Sequence, residues 1–509
     1  MGSFFWLTPP EREAFTEALR VYLPRCRWFA SKSKSITKVD VEEEFCLDHP
    51  SAAFSILLVR VYYDDGLHEL YSLPLEKTSS TEVGNEERLY FDEHSSFSYR
   101  EATARAELGQ LLFELIVKGR EVQGGKGKMQ GYGSPFLLSL DRNALSRLQG
   151  QFLAADQSNS AYILGQAFFL KLYRKLEPGE NPETEILSFL TERSSFIHVP
   201  AYRGKIEARI EGLPYTLGLL SSYVPSQENG WKKAQEAFSR FIREARLQQN
   251  DETSASGFSA MVGGAYFGPD ASLIGERTAG LHLALSRAQG IPSFEPQPLE
   301  KEDLYFLYEE SIDIMKEKWT NAPSNPWFNA WLSQQNLSFG SLTERVRKRL
   351  EEKISALEEG CVHKIRIHGD YHLGQLLWTG SDYLVIDFEG EPNRAMARRK
   401  IKWPGLRDVA GMLRSFHYVA YSFAEGKERE DFFLKRLAEL WYSEVSKNFL
   451  DAYRRITRGS ILLPTEEKNF RLLLDFFLLE KAVYEVGYEL GSRPSWVGIP
   501  LSALLELIR

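Results

Sequence analysis

Residues 365–391 constrain this chain more than any other stretch. They read Ile-Arg-Ile-His-Gly-Asp-Tyr-His-Leu-Gly-Gln-Leu-Leu-Trp-Thr-Gly-Ser-Asp-Tyr-Leu-Val-Ile-Asp-Phe-Glu-Gly-Glu. Two apolar runs, Gln375 to Trp378 and Tyr383 to Phe388, flank the turn-forming set Thr379-Gly380-Ser381-Asp382, so a β-hairpin is expected. Asp370 lies just before the first strand and Asp387 near the end of the second, which carries both carboxylates to one end of the hairpin. The amide of Gln375 joins them there. One carboxylate to orient a hydroxyl, with a second carboxylate and an amide oxygen for magnesium, is the equipment of kinase-type phosphoryl transfer.

The spacing sharpens this reading. Protein kinases use His-Arg-Asp, four residues, Asn, then Asp-Phe-Gly; this chain has His-Gly-Asp, four residues, Gln, then Asp-Phe-Glu. Asp370 is therefore the candidate catalytic residue, Gln375 and Asp387 are the candidate Mg2+ ligands, and ATP is the expected cosubstrate. A plain hairpin with surface acids would have no need of three polar types at one template's spacing.

A kinase also needs a lysine for the α- and β-phosphates, and Phe168-Phe169-Leu170-Lys171-Leu172-Tyr173-Arg174 offers Lys171 inside an apolar strand. Taken alone, such a lysine marks only a solvent face. Its place ahead of a helix predicted over Pro182 to Arg193 supports the functional reading, with Glu185 as its expected carboxylate partner. Ser158 and Asn159 stand where a glycine-rich loop is expected and could offer N–H groups and hydroxyls to phosphates. Residues 124–133, rich in glycine, contain no Gly-Lys-Ser/Thr and are expected to be a mobile loop. Leu217 to Val224 should be the strand and hinge whose backbone meets adenine, and 251–270 a polar loop.

Length and charge bound the rest. A chain of 509 residues exceeds one simple core. Three parts are expected: a cap subdomain over 1–95, a small lobe over 96–222, and a mostly helical large lobe over 223–509 that carries the hairpin. The net charge of −8 argues against nucleic acid as a partner. Three widely spaced cysteines suggest a reduced, cytoplasmic protein. No apolar run approaches the ~18 residues of a membrane span, and the first residues lack a secretion signal's basic region.

Two further stretches invite a role. Residues 393–402 are strongly basic and either form a solvated face or order the catalytic segment, while Asp408 could cap a helix or accept from the catalytic-loop backbone. On the last helix, Glu480, Tyr484 and Tyr488 recur every four residues and share one face, with Lys481, Glu485 and Glu489 beside it. Carboxylates and aromatic rings suit a sugar's hydroxyls and C–H face, although a tyrosine-rich helix packed on a core reads the same way. His372 and Arg493 complete the candidate sugar contacts.

The wording His-Gly-Asp-Tyr-His-Leu-Gly-Gln followed by Asp-Phe-Glu-Gly-Glu-Pro resembles the bacterial maltokinases of the aminoglycoside-phosphotransferase-like kinase superfamily. So do Arg27-Trp28-Phe29 near the N-terminus, the Leu170 to Pro182 run and the terminal helix. The resemblance implies an α+β, bilobal, protein-kinase-like fold with an N-terminal cap. It also implies transfer of the ATP γ-phosphate to the anomeric hydroxyl of maltose, giving maltose 1-phosphate for α-glucan (glycogen) synthesis. A partnership with trehalose synthase is implied too, here between chains. Two alternatives stay open: a kinase for another sugar or an aminosugar such as glucosamine, and an inactive kinase-like scaffold that binds the synthase.

Overall fold

The computed structural model describes residues 8–509 apart from 51, 80–88, 93–96, 155–157, 249–254, 321, 392–393 and 424–431. Two compact units emerge, one of Met1–Arg193 with Pro200–Val224 and one of Ser194–Val199 with Pro225–Arg509. The division after Val224 falls just beyond the expected lobe boundary at 222.

The first unit holds two antiparallel sheets. Ile36–His49, Ala52–Tyr63 and His68–Ser79 form the body of the first, and their β-branched, aliphatic and aromatic residues suit a sheet with apolar residues buried on both faces. One face buries Val39, Leu57, Val59, Val61, Tyr71 and Leu73 against Phe15, Leu19 and Leu23 from the helix Pro9–Tyr22 and the turn after it. Thr8 starts that helix with a capping box to Glu11. The strand Phe97–Glu101 pairs with His68–Ser79, and Lys175–Leu176 pairs with the same strand. The boundary expected after residue 95 therefore cuts through a sheet, whose backbone groups need those partners.

The second sheet runs in the order Glu121–Gln123, Gly127–Gly133, Tyr202–Ile210, Leu213–Ser222, Phe168–Leu172, Ser160–Leu164, Gly150–Leu153. Residues 127–133 are thus a strand, where a mobile loop was expected. Their glycines serve close approach: a Cβ on Gly131 would lie 2.3 Å from the Leu115 carbonyl oxygen, and one on Gly127 2.1 Å from that of Arg209.

The second unit is mostly helical, with Gly230–Leu247, Gly268–Ser286, Leu406–Ser422, Phe432–Thr457 and Glu467–Ser492 among its long helices. Ala255–Gly264 is a helix too, so the polar loop expected over 251–270 is largely helical; it buries Phe258 and Val262, and residues 251–254 lie outside the described residues. A small antiparallel sheet of Glu228–Asn229, Leu376–Trp378 and Tyr383–Val385 carries the expected hairpin. Both of its strands are shorter than the sequence suggests. Gln375 closes a 3-10 turn, Leu373–Gln375, and the second strand stops at Val385 because Asp387 adopts φ 66°. Among the described residues, no helix is long and apolar enough to cross a membrane.

Candidate active site

In the first unit, Lys171 sits mid-strand between Leu213–Ser222 and Ser160–Leu164. Its neighbours Leu170 and Leu172 point into the core, leaving its side chain on the other face. There its ammonium meets Glu183 Oε2 at 2.8 Å, with both side chains largely buried. Tyr173 donates to the same oxygen at 2.9 Å. The carboxylate at 2.8 Å from the Lys171 ammonium is thus Glu183, two residues before the expected Glu185. Two residues along a helix turn a side chain by about 200°, to the opposite face. Asn181 fixes which face is used: its side chain accepts the Glu183 N–H at 2.8 Å, while its own N–H binds Thr216 Oγ1 at 3.0 Å. Asn159 Oδ1 accepts the N–H of Arg174 at 3.2 Å, and Ser158 is exposed.

In the second unit the His368-Gly369-Asp370 segment is clamped by Asp408. That carboxylate accepts the N–H groups of His368 at 2.8 Å and Gly369 at 3.0 Å and faces His282 Nε2 at 3.1 Å. Burial pushes the Asp408 carboxyl up, but His282 and the backbone donors outweigh it and hold the group below its ordinary value. Gly369 needs its missing Cβ here, since its φ is +84°. His368 closes the loop on the hairpin: Nε2 donates to the Ile386 carbonyl at 2.9 Å, which leaves Nδ1 to accept the Asp370 N–H at 3.3 Å. Its ring packs on Phe388 and Tyr371, with centroids 4.8 and 5.2 Å away.

The hairpin brings Gln375 and Asp387 together, with Nε2 donating to Oδ2 at 3.1 Å. The Ile386 N–H binds the Gln375 carbonyl at 3.0 Å. Asp387 sits in the left-handed region, which Asp tolerates better than most side chains. A carboxylate and a neighbouring amide are hard donors of the kind magnesium takes from protein, provided the amide turns its oxygen in place of the nitrogen that now faces Asp387, with phosphates and water filling the remaining positions. These two residues fit that ion.

Lys481, from the helix Glu467–Ser492, places its ammonium 3.6 Å from Asp370 Oδ1 and 2.9 Å from Glu391 Oε1. Burial alone would lower the Lys481 pKa, but Glu391 and Asp370 raise it above its ordinary value. Glu391 is pushed up by burial, yet Lys481, Arg394 and Arg407 hold it well below the carboxylate range. Arg394 also pairs with Glu310, Arg399 donates to the Glu389 carbonyl at 3.1 Å, and Lys402 to two carbonyls at 2.7 Å. The basic stretch thus orders the segment behind the hairpin; Asn393 lies outside the described residues.

The candidate sugar residues separate. Glu480 is buried and tied to Arg407 at 2.9 Å and Arg394 at 3.6 Å, so its carboxylate serves an ion-pair network and is not turned to a ligand. His372 accepts the Gly374 N–H at 3.0 Å and shapes the turn ahead of Gln375; burial pushes its imidazole pKa down. Tyr484 lies beneath two ammonium groups, Lys481 at 4.8 Å and Lys318 at 5.6 Å from its ring centroid. Tyr488 is 43% exposed and lines a cavity of about 670 Å³ with Glu317, Lys318, Asn325 and Ser492. Arg493 pairs with Glu489 at 2.7 Å beside the Tyr488 and Trp496 rings.

The maltokinase N-terminal cap domain family matches residues 22–95. Glucosamine kinase of Streptacidiphilus jiangxiensis is 25% identical over 365 residues, covering 70% of this chain and 73% of that protein. Glucosamine kinase of Mycolicibacterium smegmatis is 22% identical over 358 residues, 70% of this chain and 79% of its own. A solved glucosamine kinase in complex with glucosamine, ADP and inorganic phosphate aligns with TM-score 0.60 at 20% identity, covering 93% of this chain and 94% of that one. A second glucosamine kinase crystal form aligns at 0.63 and 19% identity, over 94% and 96%. The fold is the kinase-like α+β fold with an N-terminal cap. Within that fold, residues 22–95 match the maltokinase-type cap, and about 70% of the chain is similar to curated sugar kinases.

Proposed function

We propose that this chain transfers the γ-phosphate of ATP to a hydroxyl of a small sugar, with the anomeric hydroxyl of maltose as its acceptor and maltose 1-phosphate as its product. The observation that carries the reading is the catalytic segment: Asp370 beside the Lys481 ammonium, in the same loop system as the paired Gln375 and Asp387. Asp370 aims the acceptor hydroxyl and takes its proton late in transfer, and Lys481 keeps a positive charge next to it. Asp387 and Gln375 would hold magnesium, which supplies neutralisation of phosphate charge when bound. Lys171, steadied by Glu183, contacts the phosphates of ATP, and Ser158 and Asn159 lie on the loop proposed to border them.

The terminal helix supports a sugar acceptor. Lys481, Tyr484 and Tyr488 recur at three- and four-residue spacing, so one helix face runs from Asp370 toward the 670 Å³ cavity. Ammonium groups on Tyr484 favour a neutral sugar over a cationic one. Glucosamine is the second reading, favoured by the relatives that match along 70% of the chain. The setting in α-glucan synthesis beside trehalose synthase, and a cytoplasmic location, rest on the maltokinase resemblance and the three free cysteines.

Replacing Asp370 by Asn tests the reading. It keeps the shape but cannot take a proton, so kcat should fall ~10²–10⁴-fold while calorimetry still detects ATP–magnesium binding. A near-normal kcat would refute the assignment.

A further inference from the structure

Arg174 lies three residues after Lys171 and is buried to 1% exposure, and its guanidinium engages three separate elements of the first unit. Nε donates to Ser160 Oγ at 2.9 Å, and the backbone N–H of Arg174 donates to Asn159 Oδ1 at 3.2 Å. Both acceptors belong to the turn and strand start that follow Ser158. Nη1 reaches the Ser72 carbonyl at 3.2 Å, and the Ser72 N–H donates back to the Arg174 carbonyl at 2.7 Å, locking the first sheet to this strand. Nη2 binds Glu101 and Thr103. Glu101 also accepts from Tyr22 at the end of the first helix. The guanidinium carbon stands 4.5 Å from the Trp28 ring centroid, a stacked cation–π arrangement. Each of the three guanidinium nitrogens has a partner, and the elements they join are otherwise remote in sequence.

We infer that Arg174 is a positioning residue through which the cap, by way of Trp28 and Ser72, sets the geometry of the polar turn at Ser158–Asn159 and of the Lys171 strand, and so tunes the affinity for nucleoside triphosphate. The inference rests on the proposed nucleotide role of Lys171. Neither Arg174 nor Trp28 touches the nucleotide; both act by holding groups that do. The cap then works as a fixed brace for the phosphate side, with no part in choosing the sugar. Lysine cannot replace Arg174, because a point charge on a flexible stem cannot satisfy a planar fork under an indole. Neighbouring Lys175 makes a separate, more exposed tie to the cap through Glu69 at 2.6 Å, so losing the Arg174 node leaves the two sheets joined.

The test measures ATP–magnesium binding by calorimetry and both Michaelis constants for the full chain, for Trp28→Leu and for Arg174→Lys. Trp28→Leu keeps an apolar cover over the guanidinium and guards against a misfolded Arg174→Lys. Expected is a rise of about 10-fold in the ATP Kd and KM, equivalent to ~1.4 kcal/mol, with the sugar KM unchanged. Equal ATP affinity in wild type and Trp28→Leu, or parallel rises in both Michaelis constants, would overturn the inference. A wild-type chain that binds no ATP–magnesium would instead overturn the nucleotide reading beneath it.

Discussion

Two buried lysines invite comparison. Lys171 pairs with Glu183, a carboxylate in the first turn of a helix. Lys481 is shared between Glu391 and Asp370, with two arginines around Glu391. Glu183 is anchored locally, through Asn181 two residues away, so the start of its helix fixes where its carboxylate stands. The Lys481 group is assembled from segments far apart in sequence and exists only once the second unit has packed. The difference teaches what each ammonium can do. Lys171 meets a carboxylate whose own position is fixed by its helix, which suits a group that contacts phosphates. Lys481 is saturated by carboxylates and suits a group that holds the catalytic loop in place.

The comparison can be broken or sharpened by four substitutions. Asp387→Ala, which removes the charged magnesium donor, sets the scale: turnover should fall by about 10³-fold or more, and added magnesium should not restore it. Lys171→Met should lower kcat/KM for ATP by about 10²-fold with the sugar KM little changed; a change confined to the sugar side would reverse the roles of the two lysines. Lys481→Met should lower kcat by about 10-fold with the ATP KM unaltered, the loss of one charge-assisted contact at Asp370. An unchanged kcat would reduce Lys481 to packing. Tyr488→Ala should raise the sugar KM about 5-fold, corresponding to ~1 kcal/mol of ring contact, and leave the ATP KM alone. An unaltered sugar KM would remove the cavity from the acceptor site.

What the sequence disclosed follows the same division. Asp370, Gln375 and Asp387 share one short segment, so spacing alone brought them to one hairpin end, and the structure places Gln375 against Asp387. Glu183 was missed by two residues because the phase of a helix depends on its first turn, and here an Asn181 side chain sets it. The Asp408–His282 contact joins residues 126 apart, and the approach of Lys481 to Asp370 is similarly remote; no local pattern predicts either. Glu480 looked suited to a ligand because its helix face was legible, whereas the arginines that occupy it come from another segment. The strand Gly127–Gly133 was hidden by glycines whose purpose is close packing against Leu115 and Arg209.

The most direct test of the central claim is ADP release by the unmodified chain with ATP and magnesium, read against maltose, glucosamine, glucose and no sugar, with the product identified by phosphorus NMR. The account predicts ADP release that depends on both magnesium and sugar, highest with maltose and yielding an anomeric phosphate. Release that is no faster with any sugar than without one, from a chain that binds ATP–magnesium, would contradict it.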